Sequence, residues 1–174
     1  GVEHLQAIKF MKELNQMIKE RHPGVITIAE ESSIWDGVTK PADYPTGLGF
    51  DLKWNMGWMN NTLSTFSEHP EHRQVKVREK LLRSFDYAFS DKAVLAISHD
   101  EVVHMKKPLI KKCDFGGDKW REFANLRLLY GYMFAYPGKK LLFMGDDIAE
   151  SKEWNQDVGL NWDLLNDPYN QGLN

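Results

Sequence analysis

Apolar residues recur at three- and four-residue spacing through residues 2–21, where Leu5, Ile8, Met11, Leu14 and Ile18 are separated by Glu, Lys, Gln and Asn. That period predicts an amphipathic helix, ended by His22-Pro23-Gly24. The run Val25-Ile26-Thr27-Ile28-Ala29 has the length and β-branching of a buried parallel strand, reached by a short loop as a βαβ unit requires. From Glu31 to Gly49 the chain is punctuated by Gly37, Pro41, Pro45 and Gly47 and reads as a long loop, a kind more often functional than idle. Residues 49–53 suit a short strand, and Met56, Met59, Leu63 and Phe66 form a helical stripe despite Gly57. His69-Pro70 closes that segment; Leu81, Leu82, Phe85, Ala88 and Phe89 give a further stripe, followed by a strand over 93–97. Asp118 is placed as an N-cap, with Arg121 where a capping box would carry Glu. In the helix it opens, Trp120, Phe123, Ala124, Leu128, Tyr130, Met133 and Phe134 cover most of the circumference, which predicts burial, and Pro137-Gly138 stops it. A last strand spans 139–145, and a short helix is expected at Leu164. The alternation is that of an α/β fold with a parallel sheet. Four strands are half of what a closed (β/α)8 barrel needs.

Composition narrows the class. The 174 residues are 42% hydrophobic and 27% charged, which fits one globular domain with a core. A net charge of −3 provides no broad basic field for nucleic acid, and Lys106-Lys107 and Lys111-Lys112 read as short solvated clusters. No apolar run approaches membrane-spanning length. Cys113 is the single cysteine, so an internal disulfide is excluded, and with no charged-then-apolar leader the expected setting is the reducing cytoplasm. Several of the 6 Trp, 6 Tyr and 9 Phe fall near Gly or Pro, where aromatic faces suit sugars, although core filling is their commoner role.

Two of the strands break into acid. Residues 93–97 run into Ser98-His99-Asp100-Glu101, and residues 25–29 run into Glu30-Glu31-Ser32-Ser33. Parallel strands deliver catalytic groups to the mouth of a barrel in this way, and paired carboxylates are the raw material of glycoside chemistry. Glu30 is the better acid candidate, because a carboxyl group following an apolar strand is partly desolvated and titrates higher. A solvated strand end is the plainer reading of Glu30-Glu31. For Asp100 the plainer readings are an N-cap or an ion pair with His99 or His104. Those two histidines are five residues apart, not the four of zinc proteases, which turns one ring off the other's helical face. Cys113 shows no strand-to-helix nucleophile turn, and no phosphate-binding glycine loop occurs.

Four longer stretches carry a family resemblance: Ile28-Ala29-Glu30-Glu31-Ser32, residues 47–59 (Gly-Leu-Gly-Phe-Asp-Leu-Lys-Trp-Asn-Met-Gly-Trp-Met), Ser98-His99-Asp100-Glu101-Val102-Val103-His104, and residues 123–135 from Phe123 to Ala135. In this order they resemble the 1,4-α-glucan (glycogen) branching enzymes of the α-amylase superfamily, over about residues 1–166. The resemblance implies a partial (β/α)8 TIM barrel, roughly strands 5 to 8 with their helices, so that residues 1–174 form the carboxyl-terminal half of the catalytic barrel. It implies Glu30 as general acid/base after the fifth strand, Asp100 as the transition-state-stabilising carboxylate after the seventh, and His99 as a hydrogen-bonding partner of the sugar. The implied reaction is retaining: an α-1,4-glucan is cut and the piece transferred to a 6-hydroxyl, with α-glucan (glycogen, amylose) as partner and no cofactor or metal. The family's nucleophilic aspartate lies on the fourth strand, outside this chain. With the amino-terminal half-barrel and the flanking β domains also outside it, the chain reads as a fragment expected to be inactive alone. The family usually has Gly where this chain has Met105, and Glu and an aromatic where it has Asp147 and Ile148. The competing reading is a non-catalytic glucan-binding or structural half-barrel from a truncated reading frame.

Overall fold

The computed structural model describes residues 3–116 and 118–173, with only the backbone for residues 74–76. Four strands, β1 (Ile28–Ala29), β2 (Leu52–Trp54), β3 (Ala93–Ala96) and β4 (Lys139–Leu141), form one sheet in the order β1-β2-β3-β4. Every pair is parallel, with Ile28 opposite Leu52, Lys53 opposite Ala93, and Val94 opposite Lys139. Strand order that advances without reversing is how a barrel wall grows, whereas a doubly wound sheet turns back at a switch point.

Helix α1 (Leu5–Arg21) precedes the sheet; residue 2 of the predicted helix lies outside the described residues. α2 (Met56–Phe66) and α3 (Arg73–Asp86) connect β2 to β3. The short α4 (His99–Val102) and α5 (Leu109–Lys112) and the long α6 (Lys119–Ala135) connect β3 to β4, and α7 (Pro168–Gln171) lies near the end of the chain. Asn55 caps α2 by accepting from Trp58 N at 2.9 Å, and Asp118 caps α6 through Trp120 N and Arg121 N. No helix among the described residues is long and apolar enough to cross a membrane.

The main core lies between β3, α2 and α6, where Trp58, Leu95, Ile97, Leu126, Leu129, Met133 and Tyr136 are buried together. A smaller one joins Ala29, Val38 and Leu48 to Ile8, Met11, Trp35 and Phe50, so the helix-free connection between β1 and β2 folds back onto α1. Buried Asn15 of α1 donates to Leu48 O at 2.9 Å, and Lys19 Nζ to Gly49 O at 2.7 Å, which satisfies loop carbonyls that no ladder pairs.

Three expectations change. The strand over 25–29 is a ladder strand only at Ile28–Ala29, and only Ala29 of it is buried: Val25, Ile26 and Ile28 are exposed on what is a sheet edge. α6 is buried on one side only, with Trp120, Leu128 and Phe134 more than half exposed, because the 3.6-residue period turns them from the core and nothing packs beyond them. β4 stops at Leu141, not 145: Gly145 is left-handed (φ 84°) and the Asp146 carboxylate accepts from Phe143 N, which closes a turn.

Candidate active site

All the strands point the same way, so residues following β1, β2, β3 and β4 gather along one carboxyl edge. Glu30 follows β1, Asn55 follows β2, His99 and Asp100 follow β3, and Phe143 follows β4. β1 and β3 flank β2, so Glu30 and Asp100 both follow strands that end on this rim, with one strand between them.

Strand alternation separates the two adjacent glutamates. Ala29 packs into the smaller core and Glu31 shares its face, with Glu31 standing 3.8 Å from Lys53 Nζ. Burial pushes the Glu31 carboxyl up, but hydrogen bonds from Ser33 N and Oγ and the charge of Lys53 outweigh it and hold it below the usual range. Glu30 shares the opposite, open face with Ile28. The strand end does not desolvate it: Glu30 is exposed, because the face it lies on is uncovered. Its neighbour's carboxylate is committed to structure and Glu30's is not.

The turn after β3 sorts its acids in the same way. Ser98, not Asp100, is the N-cap of α4: its Oγ accepts from Asp100 N at 3.3 Å. Glu101 is buried and closes the capping box, accepting from Ser98 N at 2.6 Å and Ser98 Oγ at 2.7 Å. The Ser-x-x-Glu spacing signals this box in the sequence itself, although the sequence reading left it unused. With Glu101 occupied, the outward groups are His99 and Asp100, both about half exposed, with His99 Nε2 3.3 Å from Asp100 Oδ1. The His99 ring leans against Phe143 at 6.0 Å, and Phe143 meets Trp154 edge-on at 5.5 Å. α4 ends at Val102, so His104 belongs to the following turn and not to the helix of His99. Among the described residues no group of three or more His, Cys, Asp or Glu could hold a metal ion. Cys113 is fully buried, and burial pushes its thiol up to about 12, far from the thiolate a nucleophile needs.

A cavity borders part of this edge, at Glu31 and Asn55. A cleft of about 370 Å3 is lined by Glu31, Trp35, Lys53, Tyr87 and Asp91 among others, and Glu30, His99 and Asp100 do not border it. It lies on the side where the β1–β2 connection lacks a helix. The carboxyl edge encloses nothing by itself, because half a barrel wall has no opposite side. Two further acids escaped the sequence reading: buried Asp146, which accepts from Phe143 N three residues away, and Glu153, whose partners lie far along the chain.

A chain with this sheet order has the form of a partial (β/α)8 barrel. Solved structures agree on the fold. The ligand-free cyclic alpha-maltosyl-(1→6)-maltose hydrolase from Arthrobacter globiformis superposes with a TM-score of 0.57 at 16% identity, over 95% of this chain and 36% of that one. A cyclomaltodextrinase superposes with a TM-score of 0.52 at 19% identity, over 95% and 27% of the two chains. No protein-family model matches. Sequence similarity goes further. The chain is 52% identical to the 1,4-alpha-glucan branching enzyme GlgB of Rhodopirellula baltica over 99% of its own length and 23% of the relative's. Identity is 51% to the same enzyme of Nitrosococcus oceani and of Aquifex aeolicus, again over 99% of this chain and over 23% and 27% of theirs. The chain is thus homologous, along almost its whole length, to one segment of the 1,4-alpha-glucan branching enzymes, and spans about a quarter of the length of these curated relatives.

Proposed function

We propose that this chain serves as the carboxyl-terminal half of the catalytic barrel of a branching enzyme, acting on α-1,4-glucan in glycogen biosynthesis. The observation that carries the reading is the carboxyl edge: in a segment 52% identical to an enzyme of that name, Glu30 and Asp100 follow parallel strands one apart, with their neighbours Glu31 and Glu101 engaged in structure.

In this reading an aspartate on the amino-terminal half of the barrel attacks the anomeric carbon while Glu30 gives its proton to the departing glycosidic oxygen. Glu30 then takes the proton of the incoming 6-hydroxyl as that oxygen displaces the aspartate, so the configuration is retained. Asp100 supports the positive charge that develops on the sugar, and His99 beside it hydrogen-bonds a sugar hydroxyl. The exposure of Glu30 fits this role, since the face it occupies is the one that the other half of the barrel would close. The partner is an α-glucan; the mechanism uses neither nucleic acid nor membrane, and cytoplasmic glycogen metabolism is its natural setting.

The test mixes this chain with the separately produced amino-terminal segment of the Rhodopirellula baltica relative and follows the iodine colour of amylose, which branching weakens and shifts. The mixture is expected to branch, neither part alone does so, and Glu30→Gln lowers the mixture's rate by about 10²–10⁴-fold. Branching by this chain alone, or a Glu30→Gln mixture as active as the unmodified one, overturns the assignment.

A further inference from the structure

The turn after α4 is held in a conformation its own residues disfavour. His104 (φ 56°), Met105 (φ 66°) and Lys107 (φ 68°) all occupy the left-handed region, and none is glycine. Side chains with a Cβ persist there only where the surroundings over-determine the backbone. Met105 contributes nothing to that determination through its side chain, which is 93% exposed.

The constraint comes from Glu153, far along the chain in the segment after β4. Its Oε2 accepts from Met105 N at 2.9 Å and its Oε1 from Lys107 N at 2.8 Å. One carboxylate thus sits across two backbone N–H groups, as an anion sits in a backbone nest. These N–H groups hold the Glu153 carboxyl below the usual range, helped by the charges of His104 and Lys112. Between the two clasped residues, Lys106 reaches back with Nζ to the carbonyl oxygen of Asp100 at 2.6 Å, and Lys112 Nζ donates to Lys106 O. The line of contact therefore runs from Glu153 through the turn to the backbone of Asp100. A second route joins the same segments, from Trp154 through Phe143 to the ring of His99.

We propose that Glu153 is a positioning residue for the candidate site: its carboxylate clasps the left-handed turn at Met105 and Lys107 and so sets where Asp100 and His99 stand on the carboxyl edge. The proposal takes from the reading above only that His99 and Asp100 are site residues. A glycine at position 105 would take the left-handed conformation freely and depend less on the clasp.

The test uses this chain as it is and needs no glucan. Backbone amide exchange reports the clasp, and the 1H–13C resonances of the His99 ring report the site. In Glu153→Ala the amides of Met105 and Lys107 are expected to exchange about tenfold faster, the factor an ordinary lost hydrogen bond gives, and the His99 resonances to move. Adding Met105→Gly to that variant returns the His99 resonances toward their original position, which a general loss of stability would not do. Glu153→Gln keeps one acceptor oxygen, gives an intermediate displacement, and serves if the alanine variant does not fold. Faster amides with unmoved His99 resonances, or no return on adding Met105→Gly, overturn the proposal. If the clasp passes this test but the iodine assay fails, the chemistry assigned to Asp100 is wrong and the clasp stands. The converse result removes the clasp alone.

Discussion

Asp146 sits in the turn that ends the β4 region with 5% of its surface exposed, and burial pushes its carboxyl up to about 7. The hydrogen bond from Phe143 N and the charge of Lys112 oppose that rise, while the charges of Asp147 and Glu101 add to it. A carboxyl group that titrates higher folded than unfolded contributes stability in full below the unfolded value of about 4. That contribution is lost as pH rises through about 7. Asp146→Asn keeps an acceptor for Phe143 N but cannot ionise. Thermal unfolding is therefore expected to show the variant more stable than the parent at pH 8, by on the order of 2–4 kcal/mol, and little different at pH 4. Equal differences at both pH values would contradict this. At the residue scale the sequence pointed to Glu30 and Asp100 by what precedes them, and the structure separates them from Glu31 and Glu101 by what those two touch. Glu153 left no local signal, because its partners lie 48 and 46 residues away.

Element by element, α2 and α6 read well in extent and edges read poorly, while the stripe of Leu81, Leu82, Phe85, Ala88 and Phe89 overruns α3, which ends at Asp86 and leaves Leu82 and Phe85 exposed. The stripe from Met56 to Phe66 matches α2 at both ends, and Asp118 caps α6 as its residue type predicts. Gly57, which argued against α2, has a packing reason: a Cβ there would stand 2.8 Å from the Tyr87 hydroxyl, which accepts from Asn61 Nδ2 at 3.0 Å. In an open helix, Gly→Ala gains about 1 kcal/mol. Here Gly57→Ala must displace Tyr87 and its hydrogen bond, so the gain is expected to vanish or to turn into a loss of about 1 kcal/mol. A denaturant midpoint raised by the full helix-propensity gain would show that the α2–α3 contact gives way freely. The apolar circumference of α6 misled on burial for a related reason. Periodicity counts which residues are apolar, whereas burial depends on how many layers exist to cover them.

For the whole molecule, the uncovered surfaces form a pattern. The β1 edge with Val25, Ile26 and Ile28, and the outer face of α6 with Trp120, Leu128 and Phe134, expose apolar side chains at separate places in the fold. Unpaired strands and exposed apolar patches of this kind promote association. Sedimentation of the 20.2 kDa chain is accordingly expected to give concentration-dependent species heavier than a monomer, and the amino-terminal half of a relative to reduce them. A concentration-independent monomer that unfolds reversibly would contradict this. By itself the sequence determined the α/β class, the four parallel strands, the Asp118 cap of α6 and the two acid-bearing strand ends, because periodicity, capping and strand length are properties of neighbouring residues. Only the tertiary structure decided which acid of each pair is committed to folding, that β1 and half of α6 lie open, that Asp146 is buried, and that Glu153 closes on a strained turn. Each of these depends on groups far apart in the chain meeting, or failing to meet, in space.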